Sequence, residues 1–294
     1  MKYISVSETA KKWGISERSV RNYCAAGRVA GARLVGKTWE IPESAEKPPR
    51  ETRKDKSIRL LDVLSEEKAA RLSGGIYHRI QIDLTYNSNH IEGSRLTHDE
   101  TRYIFETNTI GLKDAVVNVD DIVETSNHFR CIDYVIDTAE KTLTESYIKE
   151  LHFLLKTGTS DSRRDWFRVG DYKKLPNEVG GADTTAPECV SREIKALLTN
   201  YNEKKEATLE DIIEFHVAFE RIHPFQDGNG RVGRLIIFKE CLKHNVTPFI
   251  IDEEHKMFYY RGLKEWNSER GYLIDTCLSA QDKFHAILSK FNIR

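Results

Sequence analysis

The sequence predicts a mainly α protein, a helical bundle carrying one β-hairpin, preceded by a small lobe of two helices and a second hairpin. Three observations carry this. Apolar residues recur at helical spacing after the first sixth of the chain: Leu60, Leu61, Val63 and Leu64, then Ile76, Ile80, Ile82 and Leu84, then Ile148, Leu151 and Leu155. Strand-like patterning is confined to two short places, one in each part. Charge is uneven: residues 1–50 hold ten Lys and Arg against five Glu, a net of +5, so with −1 for the whole chain the remainder carries −6. Between the parts, Ile41 to Ser57 reads IPESAEKPPRETRKDKS, with a Pro48-Pro49 pair and few apolar groups, as a linker does. The expected organisation is a lobe at 1–45, a linker at 46–57 and a large domain at 58–294.

In the lobe, Ser5-Val6-Ser7-Glu8 forms a capping box for a first helix to about Trp13, and Gly14 breaks it. Ser16 caps a second helix, Glu17 to Ala26, that exposes Arg18, Ser19, Arg21 and Asn22. Ala10, Ile15 and Val20 supply a small core. Two strands follow, Ala32 to Val35 and Thr38 to Ile41, joined at Gly36-Lys37. Helix, tight turn, helix and wing is the outline of a winged helix-turn-helix, and it resembles the excisionase and MerR-like DNA-binding group. That resemblance implies double-stranded DNA as a partner, with the second helix in the major groove and Lys37 of the wing on phosphate. Small helical lobes also mediate protein contacts, and a net of +5 is modest.

In the large part, Leu209 to Arg221 is an amphipathic helix on which His216 reads as a packed structural histidine. It leads into the most informative stretch of the chain, His223 to Arg234, HPFQDGNGRVGR, followed by a buried helix through Leu242. Gly228 and Gly230 flank Asn229, and glycine lets a ligand approach the main chain closely. A glycine turn feeding a helix presents backbone N–H groups at the positive end of the helix dipole, an anion site. Arg231 and Arg234 lie three apart and share a helix face, where two guanidinium groups can fork onto phosphate oxygens. Asp227 is a hard oxygen ligand suited to magnesium that phosphates also bind. His223, restricted by Pro224, is a base able to take a proton from an attacking hydroxyl.

The stretch resembles the signature of Fic proteins, H-x-F-x-[DE]-G-N-G-R-x-x-R, without departure at any signature position. The resemblance implies a Fic-type helical bundle with a β-hairpin flap, and transfer of AMP from ATP to a Ser, Thr or Tyr hydroxyl of a target protein. By position, it makes His223 the base and Asp227 the Mg2+ ligand. Asn229, with the Gly228 and Gly230 backbone, would hold the α-phosphate, Arg231 the β-phosphate and Arg234 the γ-phosphate. Phosphoryl-type transfer rests on positioning and on stabilising spread negative charge, which these residue types provide.

A second segment, Ser88-Asn89-His90-Ile91-Glu92-Gly93, fits the Fic inhibitory pattern [ST]-x-x-x-E-[GN], on a helix expected at about 85–93. Ser88 and Glu92 are four apart and share a face, and Gly93 ends the helix. The resemblance implies that Glu92 pairs with Arg234 and misorients ATP. The turn-rich stretch Trp166 to Pro187 corresponds to the flap that clamps a target by strand addition, with Val179, Gly180, Gly181 and Ala182 on the nucleotide side. Downstream, Tyr259 and Asn267 occupy the positions expected to pack on adenine, although aromatic residues at helical spacing also serve as core.

Two function classes follow: an autoinhibited protein adenylyltransferase with self-modification, or a DNA-binding regulator whose Fic core senses nucleotide. Removal of AMP from a modified target, or transfer of another nucleotide, stays open, as does a homodimer. Five scattered cysteines, Cys24, Cys131, Cys189, Cys241 and Cys277, form no CxxC pair, and their odd number fits reduced thiols. No apolar run approaches a membrane span, and Met1 to Ser5 leads into a polar stretch, so a cytoplasmic protein is expected without a membrane partner.

Overall fold

A computed structural model describes residues 2–25, 27–36, 38–48, 59–111 and 116–293. The chain divides into two compact units, Met1–Lys56 and Ser57–Arg294. Most of the linker expected at 46–57 lies outside the described residues, as do Ala26 and Lys37 of the lobe.

The first unit runs β1 (Tyr3–Ser5), α1 (Val6–Trp13), α2 (Glu17–Ala25), β2 (Arg33–Val35) and β3 (Thr38–Pro42). Ser5 caps α1 through a capping box with Glu8, and Gly14 ends it at φ 64°. The backbone N–H of Ser19 donates to Ser16 Oγ at 3.2 Å at the start of α2. The sheet has the order β1-β3-β2, all antiparallel, with Ile4 opposite Ile41 and Leu34 opposite Trp39. Sequence patterning missed β1. Three residues are too few to show alternation, and the extended backbone of Ser5 serves both the strand and the helix cap. Val6, Ala10, Trp13, Val20, Cys24, Val29 and Ile41 form the core, with Ile15 half-buried against it.

The second unit is helical: α3 (Leu60–Ala70), α4 (Ile76–Ile91), α5 (His98–Thr107), α6 (Val119–Thr138), α7 (Glu145–Lys156), α8 (Val190–Asn202), α9 (Leu209–Ile222), α10 (Asn229–Lys243), α11 (Glu253–Glu265) and α12 (Gly271–Lys290). Its one sheet among the described residues is the hairpin β4 (Glu178–Val179) and β5 (Ala182–Asp183). The mainly α expectation, with a bundle and a single hairpin, therefore holds. Capping boxes at Thr97/Glu100 and Thr208/Asp211 start α5 and α9, each satisfying two orphan N–H groups at a helix end.

The centre of the unit is α10, whose side chains are buried on every face from Val232 to Leu242. A helix buried all round has no solvent face for its polar residues, so those must pair internally. Lys239 and Glu240, both fully buried, pair at 2.6 Å, and Glu240 also accepts from the Tyr201 hydroxyl at 3.0 Å. Helices α4, α6, α7 and α9 pack around α10, and their ends converge on its N-terminus. The five cysteines are free, and no described helix is long and apolar enough to cross a membrane.

Candidate active site

Helix α9 ends at His223, whose backbone takes the left-handed conformation (φ 50°, ψ 62°). For a residue with a Cβ this conformation is uncommon and is held in place by its neighbours. The His223 Nδ1 lies 3.2 Å from the Glu220 carbonyl. A carbonyl only accepts, so Nδ1 carries the proton and Nε2 keeps its lone pair. Burial lowers the proton affinity of the ring, which leaves it neutral at pH 7.

The turn between α9 and α10 is stitched from within. The Asn229 amide donates to the Phe225 carbonyl and accepts from the Phe225 N–H, each at 2.8 Å. These bonds hold the loop's shape and use one of the two Asn229 amide N–H donors. Its backbone N–H also faces outward, in a first helical turn that has no carbonyl ahead of it. Gly228 sits at φ 82°, where a side chain would be strained. At Gly230 a Cβ would stand 2.3 Å from Glu92 Oε1, so the Glu92 carboxylate reaches the very start of α10.

That carboxylate belongs to the C-terminal end of α4. Arg234 Nη2 donates to Glu92 Oε1 at 2.6 Å, while Nε donates to Ser88 Oγ at 3.0 Å and Nη2 to the Ser88 carbonyl at 2.9 Å. The helix expected at about 85–93 is the last part of this longer helix, which ends at Ile91; Glu92 caps it, and Gly93 follows at φ 97°. Burial disfavours the charge on Arg234, but Glu92 outweighs it and keeps the guanidinium protonated.

Arg231 is held differently. Its guanidinium pairs with Glu124 of α6 and, at 3.2 Å, with Asp227. Lys156 of α7 pairs with the same Glu124 and, at 2.6 Å, with Asp227. Burial pushes the Asp227 carboxyl up, but Arg231 and Lys156 prevail and hold it well below the usual carboxylate range. Its side chain remains about half exposed, at 47 %. His152 of α7 donates from Nε2 to the Asp227 carbonyl at 3.2 Å, accepts from the Gly170 N–H at 2.9 Å, and stacks on Phe225 at 3.9 Å.

The β4–β5 hairpin pairs Val179 with Ala182 across Gly180 and Gly181, both at positive φ as a tight turn of this kind requires. Tyr259 is not where an exposed adenine contact would be. It is buried in the core and shares a 2.6 Å hydrogen bond with His216 Nε2. The periodic pattern around it marks a core face, and the exposed Tyr260 beside it donates to the Ile91 carbonyl at 3.2 Å. Asn267 accepts from Arg221 at 2.9 Å on the surface. The structure thus gathers His223 to Arg234 with Ser88 and Glu92, and leaves Tyr259 in the interior. Arg18, Ser19, Arg21 and Asn22 lie on α2 of the other unit: Arg18, Arg21 and Asn22 are exposed, and Arg21 pairs with Glu17 at 2.7 Å.

The Fic/DOC family profile matches residues 142–240. Among solved structures, a Fic domain containing signaling protein from Bacteroides thetaiotaomicron superposes with a TM-score of 0.62 at 23 % identity, covering 78 % of this chain and 94 % of that one. Fic-1 from C. elegans gives 0.62 at 17 % identity, covering 81 % and 72 %. The helical unit has the Fic fold. Curated relatives include the protein adenylyltransferase Fic of Nematostella vectensis, 25 % identical over 186 residues, and that of Drosophila melanogaster, 25 % identical over 187. These alignments cover 62 % and 61 % of this chain but only 42 % and 36 % of those proteins, and they support a Fic protein.

Sequence reasoning missed five side chains at the candidate site: Glu124, Lys156 and His152, then Lys173, whose ammonium lies 3.3 Å from the Ile222 carbonyl, and Glu220, whose Oε2 lies 4.0 Å from His223 Nδ1. The first three sit on α6 and α7 among ordinary helical patterns, where a lone charged or imidazole group carries no local signal. Lys173 lies in the turn-rich flap segment. Glu220 is the one with a visible clue, a carboxylate in the last turn of an amphipathic helix three residues before His223.

Proposed function

We propose that this protein is an autoinhibited protein adenylyltransferase that moves AMP from ATP onto a target hydroxyl, and onto itself as a side reaction. The observation that carries the reading is the joint placement of His223 Nε2, the open first turn of α10 and two arginines each held by an acid. The names of its sequence relatives agree with it.

Magnesium fits the residues present. Asp227 is ionised, half exposed and fixed by Arg231 and Lys156. No cluster of three metal-binding side chains exists among the described residues, in keeping with an ion that takes one carboxylate and otherwise phosphates and water. Bound there, magnesium would neutralise and orient the phosphates. The protein's own groups do the rest. His223 Nε2 accepts the hydroxyl proton as the oxygen bonds to the α-phosphorus, the α–β bridging bond breaks, and pyrophosphate leaves. The first-turn N–H groups of α10 and the two guanidinium groups take up the charge. Glu92, seated between Gly230 and Arg234, sets a carboxylate where the terminal phosphate needs a cation, which is the inhibitory reading of Ser88, Glu92 and Gly93.

The test is incubation of wild type and His223→Ala with α-labelled ATP, magnesium and lysate, with mass spectrometry of labelled bands. Transfer is expected to vanish in the variant while calorimetry still detects ATP binding. Substantial residual labelling would remove His223 as the base.

The first unit supports a second, compatible reading as a double-stranded DNA binder, because the exposed face of α2 carries Arg18, Arg21 and Asn22. Affinity of the full chain for duplex DNA should fall steeply with salt. Salt-independent binding would argue against it.

A further inference from the structure

Lys173 is an unusual buried cation. Its side chain is 4 % exposed, and its ammonium donates to Asn177 Oδ1 at 2.7 Å, Thr184 Oγ1 at 2.6 Å and the Ile222 carbonyl at 3.3 Å. Three donors thus meet three acceptors, all neutral. No carboxylate pairs with it among the described residues, whereas the other buried lysines of this unit, Lys156 and Lys239, each have one. Burying an uncompensated charge is costly, so its position calls for a reason other than stability.

The partners show what the position achieves. Asn177 immediately precedes β4 and Thr184 immediately follows β5, so the ammonium gathers both feet of the flap. Ile222 immediately precedes His223. The Lys173 backbone N–H donates to the Pro224 carbonyl at 2.9 Å, and the Asn177 amide donates to the Phe225 carbonyl at 3.0 Å. Carbonyls on both sides of His223 are therefore tied to one residue of the flap.

We propose that Lys173 is a positioning residue for His223: it clamps the flap's base to the backbone on either side of the imidazole and sets an uncompensated positive charge against the backbone that carries the ring. This deepens the reading of His223 as the base and rests on it. The charged groups around His223 come from four places. Glu92 at the end of α4 and Asp227 in the turn favour its protonation, and Lys173 opposes it. The Glu220 carboxyl of α9, with Oε2 4.0 Å from Nδ1, is pushed up to about 8 by burial and is neutral at pH 7. Lys173 itself is lowered by burial to about 8, so near neutral pH it is still mostly charged. A clamp of this kind makes flap position and base strength one variable. A target that pulls the flap strand would move a charge that adds to burial in keeping His223 neutral.

The experiment is NMR on the whole chain without nucleotide, so that it reads the clamp independently of any transfer activity. Ring resonances of His223 are titrated, and amide exchange is followed at Asn177, Val179 and Thr184. In Lys173→Met the His223 pKa should rise by roughly one unit, the scale of removing a nearby charge, and exchange at the three amides should accelerate. Lys173→Arg keeps the charge but not the three-acceptor fit, so exchange should accelerate while the His223 pKa stays near wild type. Lys173→Gln removes the charge and keeps a polar side chain; it is the second variant should Lys173→Met not fold, and its His223 pKa should rise in the same way. A folded Lys173→Met with unchanged His223 titration and unchanged exchange overturns the proposal. So does a Lys173→Gln protein with wild-type His223 titration when Lys173→Met is unfolded.

Discussion

Glu92→Gly should weaken the resting protein and strengthen its chemistry. The pair it breaks is 2.6 Å long, with Arg234 6 % and Glu92 30 % exposed. Removing one partner of a fully buried pair costs about 3–5 kcal/mol. Two features lower that figure here: Glu92 is partly wet, and Arg234 keeps its bonds to Ser88 Oγ and the Ser88 carbonyl. A cost of about 2 kcal/mol is therefore expected, which for a unit of this size lowers Tm by about 4–8 °C. The exposed guanidinium and the vacated space beside Gly230 then suit a phosphate, and ATP with magnesium at about a hundred times its Kd returns about 2.7 kcal/mol. Thermal melts of the Ser57–Arg294 transition with and without nucleotide, alongside transfer of α-labelled ATP, read both effects. Glu92→Gln should fall between, since it can still accept from Arg234 but has no charge. A variant as stable as wild type, with no larger nucleotide shift and no gain in labelling, would refute the reasoning.

Two further outcomes follow from the same geometry. Gly230→Ala places a Cβ 2.3 Å from Glu92 Oε1, the far end of a movable side chain. It should cost about 1–2 kcal/mol in wild type and clearly less beside Glu92→Gly, so a double-mutant cycle on denaturation midpoints should give about 1 kcal/mol of coupling; simple additivity would mean the two groups do not meet. Glu220, buried with Oε1 lacking a partner, is raised from 4.5 to about 8. An acid raised on folding keeps a proton that the unfolded chain releases, so wild-type stability falls between those pH values, by up to about 1.4 kcal/mol per unit. Glu220→Gln lacks this loss. Its Tm advantage should therefore grow from pH 4.5 to 8 and then level off, and a difference that does not change with pH would place Glu220 in a wetter setting.

Local rules made much of the fold legible. Ser5 with Glu8, and Gly14 after Trp13, marked α1 because a helix start needs acceptors and its end needs a residue tolerant of positive φ. His223 to Arg234 stood out because its groups are contiguous in sequence, and Ser88 and Glu92 because a spacing of four is one helix face. Glu124 and Lys156 were invisible for the opposite reason. They are brought to Arg231 and Asp227 by the packing of α6 and α7 on α10, and no sequence neighbour of either announces it. Asn229 and Tyr259 show a different limit. Their residue types suit a ligand, yet a buried amide and phenol must first satisfy their own hydrogen bonds, and the nearest partners are Phe225 and His216.

The two arginines of the motif are neutralised unequally, and that inequality decides which can be switched. Arg231 shares Glu124 and Asp227 with Lys156, which also reaches Asp161 at 3.6 Å, so three carboxylates face two cations in a cross-linked set. Glu124 lies in the second turn of α6 at 13 % exposure and pairs with both Arg231 and Lys156, so withdrawing it would break two buried ion pairs at once. Among the described residues Arg234 has one ion-pair partner, Glu92, a capping residue at a helix end, 30 % exposed and followed by a glycine at positive φ. Helix ends fray at little cost, whereas a position a full turn inside a packed helix moves with the bundle. An incoming triphosphate carries more negative charge than one magnesium ion cancels, so the site must give up an acid to receive it. Glu92 is the acid whose removal leaves one cation unpaired and the rest of the network intact. On this reasoning Glu124→Gln should destabilise the protein without releasing transfer, and if it activated transfer as Glu92→Gly does, the division between a fixed and a removable acid would be wrong.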